Sequence, residues 1–69
     1  MKFEEFVMTT HDILDSYKYL KLSLEQSESE YKVIADFDEL DLLRLNVPKT
    51  WDSEEYKTYL ENYLKYIDL

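Results

Sequence analysis

The amino-acid sequence predicts an α+β domain, in which a helix is followed by a three-stranded antiparallel meander and then by a second helix. Three observations predict this fold class. Apolar residues recur at helical spacing near both ends of the chain, they alternate with polar residues in the middle, and polar turn residues separate the alternating runs. We expect both helices to pack on one face of the sheet, so that residues 1–69 form a single small domain.

The first helix is predicted over residues 3–17. The side chains at the i, i+3, i+4, i+7 spacing of its apolar face are Phe3, Phe6, Val7, Thr10, Ile13, Leu14 and Tyr17. A shorter helix is the alternative, because a threonine at position 9 or 10 is a suitable N-cap for a helix that begins near His11.

From Lys18 onward the apolar period changes to two, which is typical of strands with one buried face. Residues 26–29 and the pair Asp38-Glu39 are predicted turns, and Pro48 ends the third strand. A helix over residues 38–46 is the alternative, since Leu40, Leu43 and Arg44 also have helical spacing. The residues predicted on the core face are Leu20, Leu22 and Leu24, then Val33 and Phe37, and finally Leu43 and Leu45. Tyr31, Ala35 and Val47 belong to the same alternating runs.

The second helix is predicted from its N-terminal signals. Asp52 and Glu55 have the spacing of a capping box, and Trp51 and Tyr56 have the spacing of a hydrophobic staple around it. Glu61 precedes Lys65 by four residues, the favourable order for an ion pair on a helix. The predicted apolar face comprises Tyr56, Leu60, Tyr63, Leu64 and Ile67.

The charge balance bounds the function. Sixteen acidic residues face eight basic ones, for a net charge of -8. Such a surface repels phosphate backbones, so we expect no direct contact with nucleic acid and an attraction to basic protein surfaces. The chain has no glycine for a phosphate-binding loop and no cysteine for a disulfide or a zinc site. It also lacks an apolar run of about 18 residues and a signal peptide, so we expect a cytoplasmic protein that does not enter the membrane.

The candidates for catalysis and metal binding are weak. His11 is the single histidine, and we place it on the polar side of the first helix. The run Asp36-x-Asp38-x-x-Asp41 resembles the start of a calcium loop, but its fifth, sixth and twelfth positions are Leu40, Asp41 and Val47. We therefore predict no catalytic residue, no metal site and no cofactor, and a protein that is not an enzyme.

The acids are densest in "EQSESEYKVIADFDELD", residues 25–41, which carries seven carboxylates. Ile34 and Leu42 are expected to face away from the core, and Tyr59 and Tyr66 to flank the apolar face of the second helix, where large amphipathic side chains suit a binding surface. The alternative is that the acids only keep a small protein soluble. The predicted partner-binding residues are Glu25, Glu28, Glu30, Ile34, Asp36, Asp38, Glu39, Leu42, Tyr59 and Tyr66.

The element order resembles that of the double-stranded-RNA-binding domain, but "TWDSEEYK" is acidic where that family has a lysine-rich stretch, so RNA binding does not transfer. The order and the acidic "SESEYKVIADFDELD" also resemble small phage-encoded inhibitors of the anti-CRISPR, DNA-mimic type. That resemblance implies an inhibitor in the host bacterial cytoplasm that occupies the basic nucleic-acid-binding surface of an enzyme such as a CRISPR effector nuclease. The alternative is an antitoxin, an immunity protein or a homodimer that buries Ile34 and Leu42, without DNA mimicry.

Overall fold

The computed structural model describes residues 1–37 and 42–66. Its elements are α1 (Phe3–Leu14), β1 (Lys21–Gln26), β2 (Glu30–Asp36), β3 (Leu42–Pro48) and α2 (Ser53–Tyr66). The strands form an antiparallel sheet in the order β1-β2-β3. The predicted element order and the α+β class are confirmed, and the alternative of a helix is wrong for residues 42–46. The predicted turn at Asp38-Glu39 lies outside the described residues.

α1 is shorter than predicted at its C-terminal end, and it does not begin near His11. Thr10 lies inside the helix and is buried, so it is not an N-cap. Its hydroxyl donates to the carbonyl oxygen of Phe6 at 2.7 Å, which satisfies the hydroxyl within the helix. The helix ends at Leu14, and Tyr17 lies beyond it. The Tyr17 ring still meets Phe37 edge-on at 6.4 Å, so it belongs to the apolar face without being helical.

The sheet has one buried face and one exposed face, as the period of two predicts. The register aligns Leu22, Ala35 and Leu43 in one row across the strands, and Leu24, Val33 and Leu45 in the next. Every member of these rows on β2 and β3 is buried, whereas the two leucines of β1 are half-buried. The prediction that Leu20 shares this face is wrong. Leu20 precedes β1 and is 75% exposed.

A single core joins the sheet to both helices. The Phe6 ring stacks on that of Tyr31 with centroids 4.7 Å apart and meets Tyr56 of α2 at 5.2 Å. Leu14 from α1 and Leu60 from α2 belong to the same cluster as the buried residues of β2 and β3. This shared core supports the prediction that both helices cover one face of the sheet, which itself stays a prediction.

α2 begins with the predicted capping box. The amide of Glu55 donates to Oδ1 of Asp52 at 2.8 Å, and the amide of Asp52 donates to Oε1 of Glu55 at 3.2 Å. The aromatic partner of Trp51 is Tyr59, edge-on at 5.2 Å, and not the predicted Tyr56, whose ring is fully buried against α1.

Two further predictions for α2 concern an ion pair between Glu61 and Lys65 and the end of its apolar face at Ile67. Glu61 and Lys65 form no ion pair. Within the described residues the one contact of this kind joins His11 and Asp15, and it is an ion pair only when the imidazole is protonated. Glu61 and Lys65 instead border an open groove between the helices. Ile67, the last residue of the predicted apolar face, lies outside the described residues.

Candidate functional site

The structure separates the predicted acidic surface into two parts. Glu25, Glu28 and Glu30 surround the β1–β2 turn, whereas Asp36 closes β2 at its other end. β2 has seven residues, so these two ends lie about 20 Å apart at ~3.3 Å per residue. Consecutive turns of a meander lie at opposite ends of the sheet, and for that reason acids that are dense in sequence do not form one patch. Asp38 and Glu39 fall outside the described residues.

The exposed face of the sheet has balanced charges. The strand register places Lys21 opposite Asp36 and Glu25 opposite Lys32. On β3, Arg44 lies opposite Ile34 of β2. Together with Glu30, the described strand residues of this face provide three acidic and three basic side chains. Sequence density alone did not indicate this balance, because the three cations come from three different strands.

Ile34 and Leu42 both lie on this exposed face, as predicted. Ile34 is half-buried between Ser23 and Arg44, and Leu42 lies opposite Asp36 and is 50% exposed. They are diagonal neighbours on adjacent strands, within reach of one contact surface. The apolar pair therefore exists, and charges of both signs surround it.

Tyr59 and Tyr66 belong to a different surface. Tyr59 lies between Trp51 and Tyr63, with ring centroids at 5.2 and 6.5 Å, and is half-buried. Tyr66 is 86% exposed. Both tyrosines project from α2, so they do not join Ile34 and Leu42 in one patch on the sheet.

The described carboxylates have few partners. All of them except that of Asp36 belong to exposed residues, and none forms an ion pair with a lysine or an arginine. Among the described acidic side chains, the one that contacts a basic side chain is Asp15, whose Oδ1 lies 3.8 Å from Nδ1 of His11. Because none of them directly contacts a lysine or arginine of the described chain, these carboxylates remain available to an external cation, although Lys32 and Lys21 lie across the strands from Glu25 and Asp36.

The helices frame an open groove of about 460 Å³ that the sequence did not indicate. Asp12, Glu54 and Glu61 contribute carboxylates to its lining, and Lys57 and Lys65 contribute ammonium groups. The sequence signal for this groove is a stripe of polar residues at positions 53, 57, 61 and 65 of α2. This stripe runs beside the buried residues Tyr56, Leu60 and Leu64 at the same helical spacing. In residues 1–37 and 42–66 no group of carboxylates and histidine is arranged to hold a metal ion.

One polar pair is buried, between Thr10 and Tyr56. The Thr10 proton goes to the carbonyl of Phe6, so the Tyr56 hydroxyl donates to Oγ1 of Thr10. Burial raises the pKa of Tyr56 to about 12, although the hydrogen bond with Thr10 offsets part of the rise. The pair is fully enclosed and satisfied, and it therefore fixes α1 against α2 and has no access to a substrate.

No described helix is both long and apolar enough to cross a membrane. Comparison of the chain with protein-family models, with curated proteins and with solved structures finds no match.

Proposed function

We propose that this protein is a small non-catalytic inhibitor that binds the basic, nucleic-acid-handling surface of another protein. The observation that carries the proposal is the set of exposed carboxylates without lysine or arginine partners. A protein that binds DNA offers lysine and arginine side chains to a backbone with one negative charge per ~1.7 Å of axis. Unpaired carboxylates on a rigid domain are able to occupy the same positions.

The contact is best assigned to the hairpin end, which we define as the β1–β2 turn with Glu25, Glu28 and Glu30. All three side chains are exposed. The backbone beneath them is held by the bond from the amide of Ser27 to the carbonyl of Glu30 at 2.8 Å, and by that from the amide of Lys49 to Ser29 at 3.1 Å. A fixed backbone lowers the entropy lost on binding.

The partner class follows from the charge. A host bacterial nuclease that is guided by RNA, such as a CRISPR effector, has a basic groove of this kind, and the protein would act in the cytoplasm where that groove is found. Direct contact with nucleic acid is no part of the proposal, because the net charge of -8 repels phosphate.

The test is a capture experiment with the immobilised protein and a bacterial lysate, at about 50 mM and about 500 mM salt. We expect basic nucleic-acid-binding proteins to be captured at low salt, to be released at high salt, and to be displaced by an excess of duplex DNA. Proteins that stay bound at high salt and in the presence of DNA would contradict mimicry.

Matched charge reversals locate the surface. The triple variant Glu25→Lys, Glu28→Lys, Glu30→Lys should abolish capture, since it reverses the whole hairpin end. The control, Asp12→Lys, Asp15→Lys, Glu61→Lys, makes the same change in net charge on the two helices and at the C-cap of α1, and should keep most of the capture. A third triple, at Asp36 and at Asp38 and Glu39, which lie outside the described residues, tests the acids that follow β2 in the sequence. Equal losses in all three would show that net charge alone matters.

A second candidate is an interaction module without mimicry, and the mixed charges around Ile34 and Leu42 favour it. A patch with an apolar centre and charges of both signs suits a partner whose surface is also mixed. Capture that resists salt but is lost in Ile34→Lys would support this alternative over the acidic inhibitor.

A further inference from the structure

The outer edge of β1 has backbone groups that no described strand pairs with. β1 is an outer strand of the sheet. The amide of Ser27 donates to the carbonyl of Glu30, so these two residues form a hydrogen-bonded pair. Because hydrogen-bonded and non-hydrogen-bonded pairs alternate along antiparallel strands, the odd-numbered residues of β1 direct their backbone groups toward β2. Leu22, Leu24 and Gln26 therefore direct their N–H and C=O groups outward, which is the arrangement that accepts another strand.

The side chains along this edge are incompletely covered. Leu22 and Leu24 point to the core face but are only half-buried, although their row neighbours on β2, Ala35 and Val33, are fully buried. A strand added beyond β1 would cover their exposed parts while it satisfies the outward backbone groups.

The sequence of β1 is complementary to itself. When two copies of "KLSLE" run antiparallel about Ser23, Lys21 lies opposite Glu25 of the second copy, and Leu22 lies opposite Leu24. Opposite charges and paired apolar side chains across strands are both stabilising. Shifting the register by two residues in either direction places Lys21 opposite a serine and loses both charge pairs.

We infer that two copies of this chain associate through β1, with the two-fold axis at Ser23, so that their three-stranded sheets become one continuous sheet. In this register Leu22 of each copy lies opposite Leu24 of the other. Each such pair exchanges two N–H···O=C hydrogen bonds, because the backbone groups of these residues point outward from the sheet edge. Ser23 meets its own copy at a pair without hydrogen bonds, where Cα atoms are about 4.5 Å apart.

The other outer strand does not offer the same partner. β3 ends in Pro48, which has no N–H, and two-fold pairing about Leu45 places Arg44 opposite Asn46 without a charge pair. Two-fold pairing about Arg44 places like charges together. A second copy on β1 is therefore the arrangement that the charges select.

The expected affinity is modest. One strand edge buries less than a standard interface of about 1,600 Å², so we expect a dissociation constant of about 100 µM. Each copy carries a net charge of -8, so the two copies repel each other. Added salt weakens the Lys21–Glu25 pairs, but it also screens this repulsion, and the second effect offsets the first. Dimerisation should therefore keep or gain strength with salt, in contrast to capture of a basic partner. Glu25 belongs to both proposed surfaces, so the two proposals are separated by this salt dependence and by the Lys21 variant below, and not by the charge reversal at Glu25.

Cross-linking tests the register, because the protein has no cysteine of its own. Ser23→Cys should form a disulfide dimer in a glutathione buffer, since Cα atoms about 4.5 Å apart suit a disulfide. The control, Ser29→Cys, is exposed and lies in the β1–β2 turn away from the axis. We expect dimer formation at least about tenfold faster for Ser23→Cys. Equal rates in two variants with the wild-type circular dichroism spectrum would overturn the register.

Sedimentation from about 10 µM to about 1 mM provides a second, independent test. Lys21→Glu should raise the dissociation constant about tenfold, because two attractive pairs become repulsive. Lys32→Glu has the same net charge on the same face but lies on the middle strand, and it should change the constant less than about threefold. A wild-type protein that remains monomeric throughout, or equal effects of the two variants, would contradict the inference.

Discussion

The two outer strands of the sheet, β1 and β3, look alike in sequence and differ in the structure. Both alternate leucines with polar residues, yet Leu43, Leu45 and Val47 of β3 are at most 4% exposed, while Leu22 and Leu24 of β1 are half-buried. Alternation identifies which face of a strand is apolar. How completely that face is covered depends on the elements that lie over it, and the coverage is unequal across this sheet.

The largest expected effect is on core packing, and it compares two leucines of one row. Leu43→Ala should lower the free energy of unfolding by about 3 kcal/mol, because it removes a fully buried side chain and leaves a cavity. Leu22→Ala, on the other side of Ala35, should cost about 1 kcal/mol, since its side chain is only half-buried. Urea denaturation at low protein concentration measures both, and equal costs would contradict the difference in coverage.

The next largest effect is a dependence of stability on pH, which arises from the buried hydroxyl of Tyr56. Its pKa is raised by burial from 10 to about 12, so between these values the unfolded chain loses the proton first and stability falls as pH rises. The loss should approach about 2–3 kcal/mol at pH 12 and should be absent below pH 10. The measurement is the difference in unfolding free energy between wild type and Tyr56→Phe as a function of pH. A difference that does not change with pH would contradict the enclosure of this hydroxyl.

A smaller effect should follow from loosening the start of α2, whose Tyr56, Leu60 and Leu64 belong to the core. Asp52→Ala removes the acceptor of the Glu55 amide and should cost about 1 kcal/mol. Glu54→Ala, in the same first turn, should stay within about 0.5 kcal/mol. Thermal denaturation distinguishes the two variants, and a cost at Glu54 as large as that at Asp52 would argue against the capping box.

The smallest effect is expected at Leu20, which the alternation placed on the buried face. The residue is 75% exposed, so Leu20→Ser should change stability by less than about 0.5 kcal/mol. A larger loss, measured beside Leu22→Ala under the same conditions, would mean that the buried face of β1 begins one row earlier.

Sequence reasoning succeeded where one local pattern decides the outcome. The capping box of Asp52 and Glu55, the alternation of β2 and the stop at Pro48 each depend on neighbouring residues. It failed where residues distant in sequence compete. Thr10 is buried inside α1, where its hydroxyl contacts Tyr56 of α2, and it is no helix cap. Tyr56 packs on Phe6 of α1, so the aromatic partner of Trp51 is Tyr59.

The candidate site shows the same division. The face of the sheet on which Ile34 and Leu42 lie followed from counting along strands and was predicted correctly, with Leu42 exposed and Ile34 half-buried. The separation of Glu25, Glu28 and Glu30 from Asp36 did not follow from density, because a meander carries its turns to opposite ends. The balance of charge on the exposed face was also hidden, since it arises from the register of three strands.

The sequence by itself determined the element order, the face that each strand buries, the start of α2 and an acidic surface, because these depend on local periodicity and composition. Only the tertiary structure decided how fully each strand is covered, where the acids come together and which backbone edge stays open. These properties depend on the placement of whole elements, which is set by packing between residues far apart in the chain. The edge of β1 is the clearest case: its self-complementary residues can be read in the sequence, but their availability depends on the position of β1 in the sheet.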